Sequence, residues 1–152
     1  MPRIKNIWFV LLLVIGLILP VFSYAADTEL GSMVQQLGAR SYAVKIETIN
    51  TLAATADPRV EAVLEAYMSR KLYRTKSDKR VVILSGSGAT LRFMDPLSGK
   101  QISGLNLKKT DLEKLRLNNR VRRAIRAALG GLTLMSKDPL KRIAAAKSSF
   151  KA

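Results

Sequence analysis

Apolar residues form an unbroken run from Ile7 to Leu19, and after a short polar start the pattern turns helical. Tyr42, Ile46, Ile49, Leu52 and Ala53 recur at helical spacing, with Ser41 placed to cap the first turn. This helix is expected to stop before Pro58, because the residue ahead of a proline is pushed out of the α region. Asp57 then caps a second helix, and Pro58 takes its first position, where a missing N–H costs nothing. Val60, Val63, Leu64 and Tyr67 make the apolar stripe of that helix. Glu61 and Glu65 lie early and Arg70 and Lys71 late, the order the helix dipole favours. Two helices joined so tightly form an αα-hairpin, which needs a neighbour to cover its apolar face.

The pattern then changes period. "KLYRT", "RVVILS" and "TLRFM" are short β-favouring runs separated by "KSDK" and "GSGA". "DPLSGK", residues 95 to 100, is a turn with Pro at its second position and Gly behind it. A small antiparallel hairpin or meander over residues 72 to 104 follows from this.

Helical spacing returns with "TDLE", residues 110 to 113, which fits a capping box with Thr110 as N-cap and Glu113 three residues on. Leu117, Val121, Ala124, Ile125, Ala128 and Leu132 share one face. Leu112 and Leu115 do not, so a break is expected near Asn118-Asn119, with Asn118 capping a fresh helix. Gly130-Gly131 is expected to weaken or end that helix. Asp138 and Pro139 repeat the earlier capping device, with Leu140, Ile143 and Ala144 as the next stripe. Helix, Asp-Pro, helix is thus a weak internal repeat. An αα-repeat needs about three units for a continuous core, and the chain is expected to be cut off partway through one.

The start of the chain bears on its destination. Arg3 and Lys5, the Ile7–Leu19 run, Pro20 and the small residues around Tyr24 have the three parts of a secretory signal, with cleavage expected after Ala25 or Ala26. The run is shorter than the roughly 20 residues of a spanning helix. The remaining chain is then exported. The full chain of 152 residues suits one small domain, without Cys or His, so disulfides, thiolate zinc sites and Ser-His or Cys-His pairs are excluded.

The net charge of +15 is unevenly spread. Residues 27 to 105 hold 11 basic and 8 acidic side chains, whereas residues 106 to 152 hold 13 and 3. Arg116, Arg123 and Arg126 lie opposite the last long stripe, with Arg120 and Arg122 at its borders. Arg116, Arg122, Arg123 and Arg126 are the candidate docking face, against a solvated face as the plainer reading. For an exported chain its partners are an anionic membrane surface or an acidic protein. Nucleic acid is not expected, since no aromatic residue lies among these arginines to stack a base. "SGSG", residues 85 to 88, lacks the Lys-Ser/Thr of a phosphate loop and reads as a hairpin turn. Asp57 and Asp138 read as caps, Glu61 and Glu65 as surface acids. No catalytic residue, cofactor or metal site is assigned, and the chain is read as a non-enzyme.

"KLRLNNRVRRAIRAALGGLTLMSKDPLKRIAAA", residues 114 to 146, resembles the N-terminal extracytoplasmic region of the urea ABC transporter permease, within the branched-chain amino acid permease family. The pattern is carried by Leu115 to Arg120, Asp138-Pro139, and Arg142 with Ala144-Ala145. Residues 57 to 72, "DPRVEAVLEAYMSRKL", are similar to an earlier Asp-Pro helix of that region. The resemblance implies a mainly α fold of HEAT-like αα-hairpins with a small antiparallel β insertion, after an N-terminal signal segment. The organisation expected is a signal at 1–25, a first helical hairpin at 26–71, a β insertion at 72–109 and a basic helical repeat region, truncated, at 110–152.

The family continues into a long membrane domain. Here no stretch after Leu19 approaches the roughly 18 apolar residues of a spanning helix. The resemblance therefore implies the front portion of an importer subunit, on the periplasmic side of the bacterial inner membrane. Its partners would be the membrane permease, the substrate-binding protein or the lipid surface. The alternative is a free-standing periplasmic helical-repeat adaptor that binds anionic lipid or an acidic protein.

Overall fold

A computed structural model of the chain describes residues 21–86, 91–105, 107–136, 138–140 and 142–143. Residues 1–20, most of the expected signal segment at 1–25, lie outside the described residues, as do part of "SGSG" and Ala144 with the residues after it. The chain divides into two compact units, Met1–Ser32 and Met33–Ala152. The described part of the first is helical, the start of α1 (Val21–Gln36). The short polar start ahead of Tyr42 is therefore helical as far as Gln36. In the second unit, Val34 and Leu37 are buried one turn apart, a helical stripe too short to stand out among polar neighbours.

The second unit is mixed: helices α2 (Tyr42–Ala54), α3 (Pro58–Met68) and α4 (Asn119–Leu134), with a four-stranded antiparallel sheet between α3 and α4 in sequence. The strands are β1 (Leu72–Thr75), β2 (Val81–Ser85), β3 (Arg92–Met94) and β4 (Leu112–Lys114), in spatial order β3-β2-β1-β4. Among the described residues no helix is long and apolar enough to cross a membrane.

The caps follow from local chemistry. Ser41 Oγ accepts from the Val44 amide at 3.5 Å. Asp57 Oδ1 accepts from the Arg59 amide at 2.9 Å, with Pro58 opening α3. That helix buries Val60, Val63, Leu64 and Tyr67 as its spacing predicts. It ends at Met68, so Arg70 and Lys71 stand beyond its last turn, and Arg70 turns the chain at φ 58°. The buried face of α2 is rotated from the expected stripe. Lys45, Thr48, Ile49 and Leu52 are inside, while Tyr42 is exposed. Both α2 and α3 pack mainly on α4 and only slightly on each other, so the core is a three-helix arrangement with α4 as the common neighbour. Apolar burial of this kind is the main stabilising term, about 25 cal/mol per Å².

The three expected strands form a meander. Leu72 pairs with Ile83 and Ile83 with Met94. Val82, Leu84, Phe93 and Leu112 make a cluster on one face, with Tyr73 and Ile102 against it. The "DPLSGK" turn is present: Asp95 Oδ1 accepts from the Leu97 and Ser98 amides at 3.1 and 2.8 Å, and Gly99 has φ 64°.

Two corrections concern the following segment. Thr110 is not a helix N-cap. It lies in a 3-10 turn, Lys109–Asp111, where Asp111 Oδ2 accepts from the Lys108 amide at 2.8 Å. Leu112–Lys114 is not helical but pairs with β1, so the β region extends to Lys114. The acid that closes the turn is Asp111, and the backbone of Glu113 is used by the sheet. Gly130 and Gly131 do not end α4, which runs on to Leu134. The exposed stretch costs the glycine propensity, about 1 kcal/mol each, against the buried stripe of Val121, Ile125, Ala128 and Leu132.

Candidate functional site

The arginines start where α4 starts. Asn118 Oδ1 accepts from the Val121 amide at 2.8 Å, which fixes the helix phase. With Val121 and Ile125 fully buried, Arg120, Arg123 and Arg126 are exposed and Arg122 is half-buried. Arg116 is exposed but precedes the helix, on the connection from β4. The candidate face therefore separates. Arg122, Arg123 and Arg126 belong to α4, and Arg116 belongs to a second basic feature. Asp138 caps as expected, its Oδ1 accepting from the Leu140 amide at 2.9 Å behind Pro139. Leu140 and Ile143 are 76% and 51% exposed, so they are not a buried stripe among the described residues.

Arg116 lines a cavity of about 330 Å³ with Arg40, Lys45, Arg74, Glu113 and Lys114. Four segments meet there. Arg40 comes from the turn before α2 and Lys45 from its first turns. Arg74 comes from β1, and Glu113 and Lys114 from β4. Register places Arg74 opposite Glu113, and the two form an ion pair at 2.6 Å. Arg74 also donates to the Gly38 carbonyl at 2.9 Å. Gly38 is needed for this approach. A Cβ there would lie 3.0 Å from the Gln35 carbonyl oxygen and 3.1 Å from Val81 Cγ2.

Lys45 is only 2% exposed. Its Nζ donates to Tyr67 Oη at 3.2 Å and to the Arg116 carbonyl at 3.3 Å. The Tyr67 hydroxyl donates to the same carbonyl at 2.8 Å. Burial lowers the Lys45 ammonium to about 8, helped by the Arg74 and Arg116 charges and opposed by Glu113. Burial raises the Tyr67 phenol above its ordinary range, with Tyr42 adding to it. The hydrogen bond from Arg74 holds the Glu113 carboxyl below the usual range.

This cluster was not read from the sequence. Its one local signal is Lys45 itself, in phase with Ile49 and Leu52 on the buried face of α2. A lysine is rarely buried without partners, and its partners here come from α3 and the β4–α4 connection. The arrangement can hold negative charge: it gathers several N–H donors around a concave space with one carboxylate already paired. Comparison of the chain with family models, with curated proteins and with solved structures found no match.

Proposed function

We propose that this chain is the extracytoplasmic N-terminal portion of an ABC-transporter permease subunit for urea import. In this reading it is carried to the periplasmic side of the inner membrane by its N-terminal signal segment. Its helices correspond to a HEAT-like unit, and the β insertion decorates it. The role is binding and positioning: the exposed side of α4 docks on the transporter's membrane subunit, its substrate-binding protein or the adjoining anionic lipid. The observation that supports docking is the two-sided chemistry of α4. Val121, Ile125, Ala128 and Leu132 are buried on one side, and Arg120, Arg123 and Arg126 face solvent on the other. Residue pattern supports the transporter assignment, through Leu115–Arg120 and Asp138-Pro139.

The test replaces Arg122, Arg123 and Arg126 with Gln and measures co-sedimentation with anionic vesicles, alongside crosslinking to membrane proteins in native cells. Loss of either contact with the fold intact is the expected result. Unchanged sedimentation and an unchanged crosslinking pattern would refute docking through this face.

A further inference from the structure

We propose that the cleft between the Gly38–Lys45 segment and the β4–α4 connection binds a small phosphate-bearing anion, held by Arg40 and Arg116 over the buried charge of Lys45. The site is separate from the α4 face and does not depend on the transporter reading.

The first support is charge. Five cations line the cavity, Arg40, Lys45, Arg74, Lys114 and Arg116, against the single carboxylate of Glu113. That carboxylate is already engaged by Arg74 at 2.6 Å. Cations brought together around a shared space repel one another, the more so where water is excluded. An anion in that space turns the repulsion into attraction, and a dianion does so more fully than a monoanion.

The second support is the set of donors left unused. Arg74 is committed to Glu113 and the Gly38 carbonyl. Lys114 lies over the Tyr73 ring, 5.5 Å from its centroid. Lys45 is buried with its ammonium on Tyr67 Oη and the Arg116 carbonyl, so it adds charge beneath the cleft and no free donor. The Arg40 and Arg116 guanidinium groups, each a planar fork of N–H donors, make no side-chain hydrogen bond among the described residues. Planar forks beside a lysine point charge are the donor set that phosphate oxygens take up.

The third support is shape. The cleft of about 330 Å³ has Arg40 and Arg116 exposed at its edge and the buried Lys45 beneath them. It has more room than inorganic phosphate alone requires, so a small phosphate ester or a lipid headgroup phosphate fits the same donors.

The test uses the full-length protein in zwitterionic micelles. Inorganic phosphate is titrated in at constant ionic strength, with chloride as the replaced ion, and the lysine side-chain NMR signals are followed. Saturable binding that shifts the Lys45 signal is expected. Arg40→Gln and Arg116→Gln, both at exposed positions, should each weaken it about tenfold, the loss of one charge-assisted hydrogen-bond donor. The triple variant R122Q/R123Q/R126Q should bind within about twofold of the original, because none of the three lines the cleft. Doping the micelles with phosphatidylglycerol separates the sources. Competition with phosphate identifies a headgroup, and lack of competition identifies the free anion or a soluble ester. A response that is linear in phosphate would overturn the proposal. So would a loss in the triple variant equal to that in Arg40→Gln, since either result assigns binding to the net charge of the chain.

Discussion

Lys45→Met tests how the cleft is held together. The substitution keeps the hydrocarbon stem and removes the ammonium. Two hydrogen bonds disappear, to Tyr67 Oη and the Arg116 carbonyl, but the Tyr67 hydroxyl keeps its own bond to that carbonyl at 2.8 Å. Removing a desolvated charge offsets the lost bonds, so stability near neutral pH should change by no more than about 1 kcal/mol. The pH dependence should change much more. Folding lowers Lys45 from 10.5 to about 8. Above the folded value the unfolded chain binds more protons than the folded one, so the native state gains stability as pH rises toward the unfolded value. At about 1.4 kcal/mol per unit, the gain from about pH 8 to about pH 10 is roughly 2 to 3 kcal/mol. Beyond about pH 10 Tyr67 acts in the opposite direction. Its folded phenol is raised, the unfolded one ionises first, and stability falls. The assay is urea denaturation of both proteins at steps across that interval, in buffer free of phosphate. Titration of the other lysines is common to both proteins and cancels in the difference. The original chain should gain roughly 2 to 3 kcal/mol more than Lys45→Met across the interval. Parallel curves would refute the burial of a charged Lys45 as the source.

Three further outcomes follow from the geometry. Gly38→Ala should destabilise by about 1 to 3 kcal/mol in thermal or urea unfolding, because its Cβ meets backbone and the Val81 side chain at 3.0 and 3.1 Å. Asn118→Ala should cost about 1 kcal/mol as a lost N-cap, whereas Thr110→Ala should cost almost nothing, and equal losses would contradict the turn and strand at 109–114. Glu113→Gln removes an ion pair whose carboxylate is 41% exposed, so its cost should stay below about 1 kcal/mol. The stability from that pair is present above the unfolded carboxyl value and is lost as pH falls through the lowered folded one, and acid titration of the variant should lack that loss.

Features set by nearby residues were legible in the sequence. Ser41, Asp57, Asn118 and Asp138 cap as their positions suggest, because a side-chain oxygen two or three residues ahead of an amide needs no distant partner. The stripe of α3 and the strands β1 to β3 were legible for the same reason. What depends on distant pairing was not. "TDLE" satisfies a helix-start pattern, yet Leu112–Lys114 finds hydrogen-bond partners on β1, nearly forty residues earlier in the chain. Lys45 is in phase with Ile49 and Leu52, but the partners that let its ammonium be buried, Tyr67 and the Arg116 carbonyl, are distant in sequence. Of the four arginines assigned to one face, Arg116 lies before the helix and lines the cleft, a separation fixed by where Asn118 starts the helix.

The proposed part in urea import is open to one decisive assay, labelled urea uptake in the native cells. Uptake is compared among unmodified cells, cells with Arg122, Arg123 and Arg126 all changed to Gln, and cells lacking the chain. The account predicts that uptake falls in both altered strains, with the substituted protein present at its normal level. Uptake equal to that of unmodified cells in the strain lacking the chain would contradict it.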